Sequence, residues 1–210
     1  CEAGSLVEPT SVAYHAMFTR AEGFKPGAYV VVYGAGPIGL GAVALAKAAG
    51  AGKVIVFEVS NERLSLVKEL GADYTFNPAE LAKKNSSPHD KVLEITGGAG
   101  ADLQIEAAGS PTKTLPEMQK SLAVGGKVTW IGRADVLAPM FIEVFQTHGA
   151  QVYGSQGHSG HGNFQNVIRL MAAGKIDQTK IITKRYKLTQ IQDAMQQAAK
   201  RVDAKITVKP

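Results

Sequence analysis

The chain has 210 residues, 45% hydrophobic and 20% charged, a balance that excludes disordered and collagen-like classes and suits one large domain or a domain with an appendage. Its net charge of +5 is unevenly placed: from Lys175 onward nine bases face three acids (Asp177, Asp193 and Asp203), leaving +6, whereas residues 1–174 carry 14 bases and 15 acids, or −1. A diffuse basic tail without interleaved aromatics is a solvated face, so a nucleic-acid partner is not expected.

In chain order, AYVVVYGAG (28–36) is a short apolar run ending in glycines, the pattern of a strand buried on both faces of a parallel sheet. PIGLGAVALAKAAGAG follows as a helix whose only charge is Lys47 and whose stop is marked by Gly50 and Gly52. KVIVFEVS is a second strand, NERLSLVKELGA an amphipathic helix opening at Ser60 or Asn61, and DYTFN a short third strand. Further along, ADLQIEAAG (101–109), PTKTLPEMQKSLAVGG (111–126), KVTWIG (127–132) and AQVYGS (150–155) read as strand, helix, strand and strand. Six strands with intervening helices predict a doubly wound α/β fold built on a parallel, six-stranded Rossmann sheet, because parallel neighbours need right-handed crossovers.

No run approaches the ~20 apolar residues that span a bilayer, and CEAGSLVEPTSV lacks the basic and apolar regions of a signal peptide, so no membrane partner and a cytoplasmic location are expected. The single cysteine, Cys1, excludes an internal disulfide and a four-cysteine zinc site within this sequence.

The chemistry starts at Gly34-Ala35-Gly36-Pro37-Ile38-Gly39. Gly34 allows the tight turn out of the strand, Gly36 lets backbone approach a pyrophosphate, and Gly39 lets the helix pack closely on the strand. The helix N-terminus then offers free N–H groups and a favourable dipole to the phosphates. Glycine-rich turns are common, but this one follows a strand, opens a helix, and precedes Glu58 by the interval that puts an acid at the end of the second strand. There a carboxylate accepts hydrogen bonds from the adenosine ribose and repels a 2′-phosphate, favouring NAD over NADP. Arg63 is the complication: it could rest on the ribose, pair with Glu58, or welcome that phosphate.

SLVEPTSVAYHA, KPGAYVVVYGAGPIGLGAVALAKAAGA, VSNERLSLVKELGADYTFNP, GAGADLQIEAAGS and GGKVTWIG together resemble the coenzyme portion of the zinc-dependent medium-chain alcohol and polyol dehydrogenases, over nearly the whole chain. Within that family, QVYGSQGHSGHGNFQNVIRLMAAGKID most resembles scyllo-inosose dehydrogenase-like members. The resemblance implies that Gly34, Gly36, Pro37, Ile38 and Gly39 cover the pyrophosphate, and that Glu58 and Arg63 hold the adenosine ribose. Ala107 and Ala108 would line the adenosine end, and Ile131, Gly132 and Arg133 would lie near the nicotinamide. It also implies that Glu8 aims its carboxylate at a catalytic zinc or its water; from the residues alone, an acid before proline is an ordinary turn or helix-start position. The implied reaction is hydride transfer from a secondary alcohol of a polyol or cyclic ketone substrate to NAD, with zinc as Lewis acid.

The family's catalytic cysteine, Gly-His-Glu motif and four-cysteine lobe are missing here, so the chain reads as truncated. The implied organisation is a linker over 1–24, an NAD-binding Rossmann domain over 25–155, and a return segment over 156–210 belonging to a missing catalytic domain. Its AKITVKP would be a strand lacking its partner. The outer edge near 149–155 could pair in a homo-oligomer of the complete protein. Alternatives are a zinc-free quinone or enoyl reductase of the same superfamily, and a non-catalytic nucleotide-sensing Rossmann module. GSQGHSGHG (154–162) is open to three readings: a metal loop, a flexible connection, or a loop bordering the nicotinamide half of the cleft. The last is favoured because α/β sheets bind ligands at their carboxyl edge. His158 and His161 would then be catalytic, offering a hydrogen bond to a polyol hydroxyl or phosphate oxygen.

Overall fold

Strand alternation organises the molecule. In the computed structural model, which describes residues 2–158 and 160–210, β1 (Tyr29–Tyr33) sends Val30 and Val32 into one apolar cluster and Val31 and Tyr33 into another on the opposite face of the sheet. The next two strands, β2 (Lys53–Phe57) and β3 (Tyr74–Phe76), stand on one side of β1. On the other side come β4 (Ala101–Glu106), β5 (Leu122–Trp130) and β6 (Gln151–Gly154). The order β3-β2-β1-β4-β5-β6 is parallel throughout. This is the expected doubly wound fold, and its direction of winding reverses between β1 and β4, where such sheets open a crevice at their carboxyl ends.

Helix α1 (Val7–Tyr14), continued by a π-helical turn over His15–Arg20, and α2 (Pro37–Ala48) cover one face. The other face carries α5 (Pro88–Thr96), after the short α4 (Pro78–Lys83), and α6 (Pro111–Lys120). Helix α3 (Asn61–Glu69) opens at Ser60, whose hydroxyl accepts the N–H of Arg63, as an N-cap does. The helices over 78–96 fill a stretch left unassigned from sequence. α5 is specified locally, by a capping box between Ser87 and Asp90.

Two expectations are corrected. The helix expected over 111–126 stops at Lys120, and Leu122–Gly126 belong to β5. Leu122 pairs with Ala101, and the register shifts before Leu103 pairs with Lys127, so the glycines at 125 and 126 accommodate an irregular strand rather than end a helix. The C-terminal strand also has a partner. β7 (Ile182–Lys187) pairs in parallel with β8 (Lys205–Lys209), linked through α9 (Ile191–Ala199). The segment after β6 shares the main core as well: Val167 of α8 (Asn163–Ala172), Ile176, Ile181, Ile182 and Ala204 are buried in the cluster that holds Val30, Leu40 and Leu103. The remaining helix, α7 (Ile142–His148), leads into β6.

Candidate functional site

The glycine turn is built by exclusion. Gly34 has φ +95°, and a Cβ there would stand 2.9 Å from the Ala108 backbone; a Cβ on Gly39 would collide with the carbonyl oxygen of Gly34. A Cβ on Gly36 would meet nothing within 4 Å, so that position faces open space at the start of α2. Pro37 occupies the first helical turn, where its missing N–H costs nothing. Among the described residues the N–H groups of Gly36, Ile38 and Gly39 have no hydrogen-bond partner, while Leu40 N already donates to the Gly36 carbonyl. Three free donors at a helix N-terminus, on a turn stripped of side chains, fit the pyrophosphate of a dinucleotide.

Glu58 follows β2 directly and is 6% exposed. Its Oε2 accepts from Ala35 N at 2.6 Å and its Oε1 from Ser60 N at 2.8 Å. The carboxylate thus braces the glycine turn and the approach to α3, and each oxygen keeps a lone pair for a ribose hydroxyl. With Gly34, Gly36, Arg63, Ala107 and Ala108 it walls a cavity of about 390 Å³. Arg63 is occupied differently from the expectation. Its Nη2 donates to the carbonyls of Arg201 and, at 3.1 Å, Asp203, so its guanidinium clamps the C-terminal segment while lining the same cavity.

Sequence reasoning did not reach the far side of this cavity, formed by Tyr33, Phe57, Ser110, Lys113, Thr114 and Glu117. The Tyr33 and Phe57 rings stack with centroids 5.2 Å apart and are almost fully buried, so they back this wall from the core. Glu106 was also missed. It is fully buried at the end of β4, where it accepts from the N–H groups of Gly109 (3.2 Å) and Ser110 (3.3 Å), and burial raises its pKa. It holds the turn that carries Ala107 and Ala108. The signal for Glu58 and Glu106 alike was an apolar strand followed by a carboxylate and then a helix, which starts at Asn61 after Glu58 and at Pro111 after Glu106.

Ala107 and Ala108 also line a second cavity of about 430 Å³, with Glu8, Val12, Ile38, Ile131, Gly132, Arg133, Gln156 and Gly157. The two cavities together follow the carboxyl ends of the strands. The glycine-rich loop contributes Gln156 and Gly157 to this wall, whereas neither His158 nor His161 is part of it. His158 stands beside it: its Nε2 lies 3.3 Å from Glu8 Oε1 and its ring meets Phe164 edge-on. His161 turns away to His15, ring centroids 6.0 Å apart. His15 accepts from Asn163 Nδ2 at 2.9 Å, and Asn163 also donates to the His158 carbonyl, so this network holds the loop against α1. Cys1 and Ser159 of the loop lie outside the described residues.

Zinc fits less well than the dinucleotide. Among the described residues no three His, Cys, Asp or Glu side chains cluster as metal ligands. Glu8 and His158 are two donors where zinc takes three or four from protein, so Glu8, expected to face zinc, has a histidine as its partner here.

Residues 37–173 match the family model described as zinc-binding dehydrogenase. The chain is 49% identical over 193 residues to scyllo-inosose 3-dehydrogenase from Thermotoga maritima, a match covering 90% of this chain and 47% of the relative. It is 32% identical over 198 residues to sorbitol dehydrogenase from Bacillus subtilis, covering 94% and 53%. Its fold matches 2R,3R-butanediol dehydrogenase from Bacillus subtilis with a TM-score of 0.87 at 30% identity, over 100% of this chain and 58% of that one. The chain spans about half the length of the curated relatives it matches.

Proposed function

Because the chain belongs to the zinc-binding dehydrogenase family, we propose that it is the coenzyme-binding portion of an NAD-dependent oxidoreductase acting on a secondary alcohol of a polyol or inosose. The observation that carries the reading is Glu58: a buried carboxylate fixed by the backbone of the glycine turn, on the wall of the cavity into which that turn opens. Bound NAD supplies a hydride acceptor. The residues of this chain bind and orient it. Gly36, Ile38 and Gly39 donate to the pyrophosphate, Glu58 accepts from the ribose, and Ala107 and Ala108 leave room between the two cavities. Ile131, Gly132 and Arg133 border the nicotinamide half, with Gln156 and Gly157 opposite.

At that end the pair Glu8–His158 supplies an acceptor and a donor for a substrate hydroxyl, and His161 steadies the loop through His15. The names of the relatives, scyllo-inosose 3-dehydrogenase and sorbitol dehydrogenase, support a polyol or its ketone as substrate. No step is assigned to zinc through the described residues. No described helix is long and apolar enough to cross a membrane, and the nicotinamide chemistry suits the cytoplasm. The open edge of β6 and the exposed Leu137, Phe141 and Ile142 support a homo-oligomer.

Calorimetric titration with NAD and NADP tests the reading. NAD should bind at least ~10-fold tighter, about 1.4 kcal/mol, because a 2′-phosphate would meet the Glu58 carboxylate. Equal affinities, a preference for NADP, or no binding of either would overturn it.

A further inference from the structure

We propose that the π-helical turn over His15–Arg20 is a clamp for the glycine-rich loop, and that Asn163, gripped by this turn, is a positioning residue for the nicotinamide half of the cleft. The proposal rests on the NAD reading above and adds to it the residues that fix the shape of one wall.

Gly154, Gly157, Gly160 and Gly162 are four of the nine residues of the loop, so it has few side chains with which to hold itself. Gly157, Gly160 and Gly162 sit at φ +70°, +79° and +68°, a region that glycine enters and leaves at little steric cost. The shape of the loop is therefore selected from outside, and the π-turn supplies the contacts. In an α-helix the fifth residue after His15 would stand about 140° round the axis from it. The wider turn is closed by i→i+5 bonding, seen in Ala21 N donating to the Ala16 carbonyl at 3.1 Å, and it brings Arg20 back toward the face that carries His15.

His15, Thr19 and Arg20 accordingly grip the loop at both ends. At its start, Arg20 Nε donates to the Gly154 carbonyl at 3.2 Å. At its far end the grip passes through Asn163, which is 1% exposed. Asn163 Oδ1 accepts from the Thr19 hydroxyl at 2.9 Å, and Nδ2 donates to His15 Nδ1 at 2.9 Å and to the His158 carbonyl at 3.1 Å. Its backbone N–H donates to the Gly160 carbonyl at 3.2 Å. Both amide protons are thus committed, one to the turn and one to the loop. The turn is in its own right fixed to the sheet: Lys127 of β5 donates from Nζ to the carbonyls of Ala21 (2.6 Å) and Gly23 (3.2 Å), and Ala16 and Met17 are fully buried.

Between the two points of grip, Gln156 and Gly157 line the second cavity, and His158 carries the ring that meets Glu8. A loose wall must be ordered each time the nicotinamide enters, whereas a clamped wall is ordered beforehand, and the difference appears as affinity. Neither the loop nor the π-turn lines the cavity beside Glu58. ADP-ribose, which keeps the adenosine and pyrophosphate but has no nicotinamide, therefore reads the rest of the site separately.

The test is calorimetric titration of the wild-type chain, Asn163→Ala and Thr19→Val with NADH and with ADP-ribose, alongside thermal unfolding to show that the variants fold. Thr19→Val removes only the hydroxyl that Asn163 accepts from, and it carries the test if Asn163→Ala does not fold. The wild type should hold NADH at least about fivefold more tightly than ADP-ribose. Asn163→Ala should bring that ratio to about one while ADP-ribose affinity stays within about twofold of wild type, and Thr19→Val should lower the ratio part of the way. Equal binding of the two ligands by the wild type overturns the proposal and leaves the NAD reading intact. So does a ratio kept unchanged in the folded variants, or a parallel loss of both ligands, which would mark a merely structural role. A wild type that binds neither ligand overturns the NAD reading and this proposal with it.

Discussion

Replacing Glu58 by alanine separates a carboxylate that only awaits a ribose from one that also holds the fold. The side chain accepts from Ala35 N at 2.6 Å and from Ser60 N at 2.8 Å. Ala35 is almost fully buried, so its N–H would be left without a partner that water could replace, whereas Ser60 is half-buried and water can reach it. An unsatisfied buried donor costs about 1–3 kcal/mol, and the truncated, 6% exposed side chain adds a smaller packing loss. The expected total is about 2–4 kcal/mol, which at ~2–4 °C per kcal/mol for a chain of this size lowers Tm by roughly 4–16 °C. Glu58→Gln keeps an acceptor for Ala35 and should lose only about 1 kcal/mol. Urea and thermal unfolding without coenzyme measure both variants. A Glu58→Ala chain within about 0.5 kcal/mol of wild type would refute the bracing role and leave Glu58 as a ligand residue only.

Gly39→Ala should be worse for binding than for folding, because its Cβ collides with the Gly34 carbonyl and must push α2 off the turn. A loss of about 1–3 kcal/mol in stability should accompany a fall in NAD affinity of more than ~10-fold, and an unchanged calorimetric titration would contradict the packing argument. His15 gives a pH signature. Burial first, then the charges of His161, Arg20 and His158, hold its pKa below 6.5, so the folded chain keeps it neutral where the unfolded chain takes a proton. Its contribution is therefore intact above pH 6.5 and lost as pH falls through the lowered folded value. Urea unfolding at about pH 8 and pH 5 should show a smaller acid loss in His15→Gln than in wild type; identical losses would count against it.

The sequence by itself determined the features that depend on neighbours along the chain. Apolar runs ending in glycine become buried strands, Gly34 through Gly39 can only turn and start a helix, and Glu58 falls at the end of β2 because strand, helix and strand have fixed lengths. Ser60 capping α3 is equally local. What tertiary structure decided is where a segment's choice depended on a partner far away. Leu122–Gly126 could extend a helix, but pairing with β4 drew them into β5. Arg63 could have met a ribose or Glu58, yet carbonyls nearly 140 residues later took its guanidinium. Glu117 reads as an ordinary helix-surface acid until His89, 28 residues earlier, holds one of its oxygens with its backbone N–H and its ring. Local spacing limits which backbone shapes a segment can take, but hydrogen bonds and burial are satisfied across the whole molecule. The role of a long polar side chain is therefore settled only when its distant partners arrive.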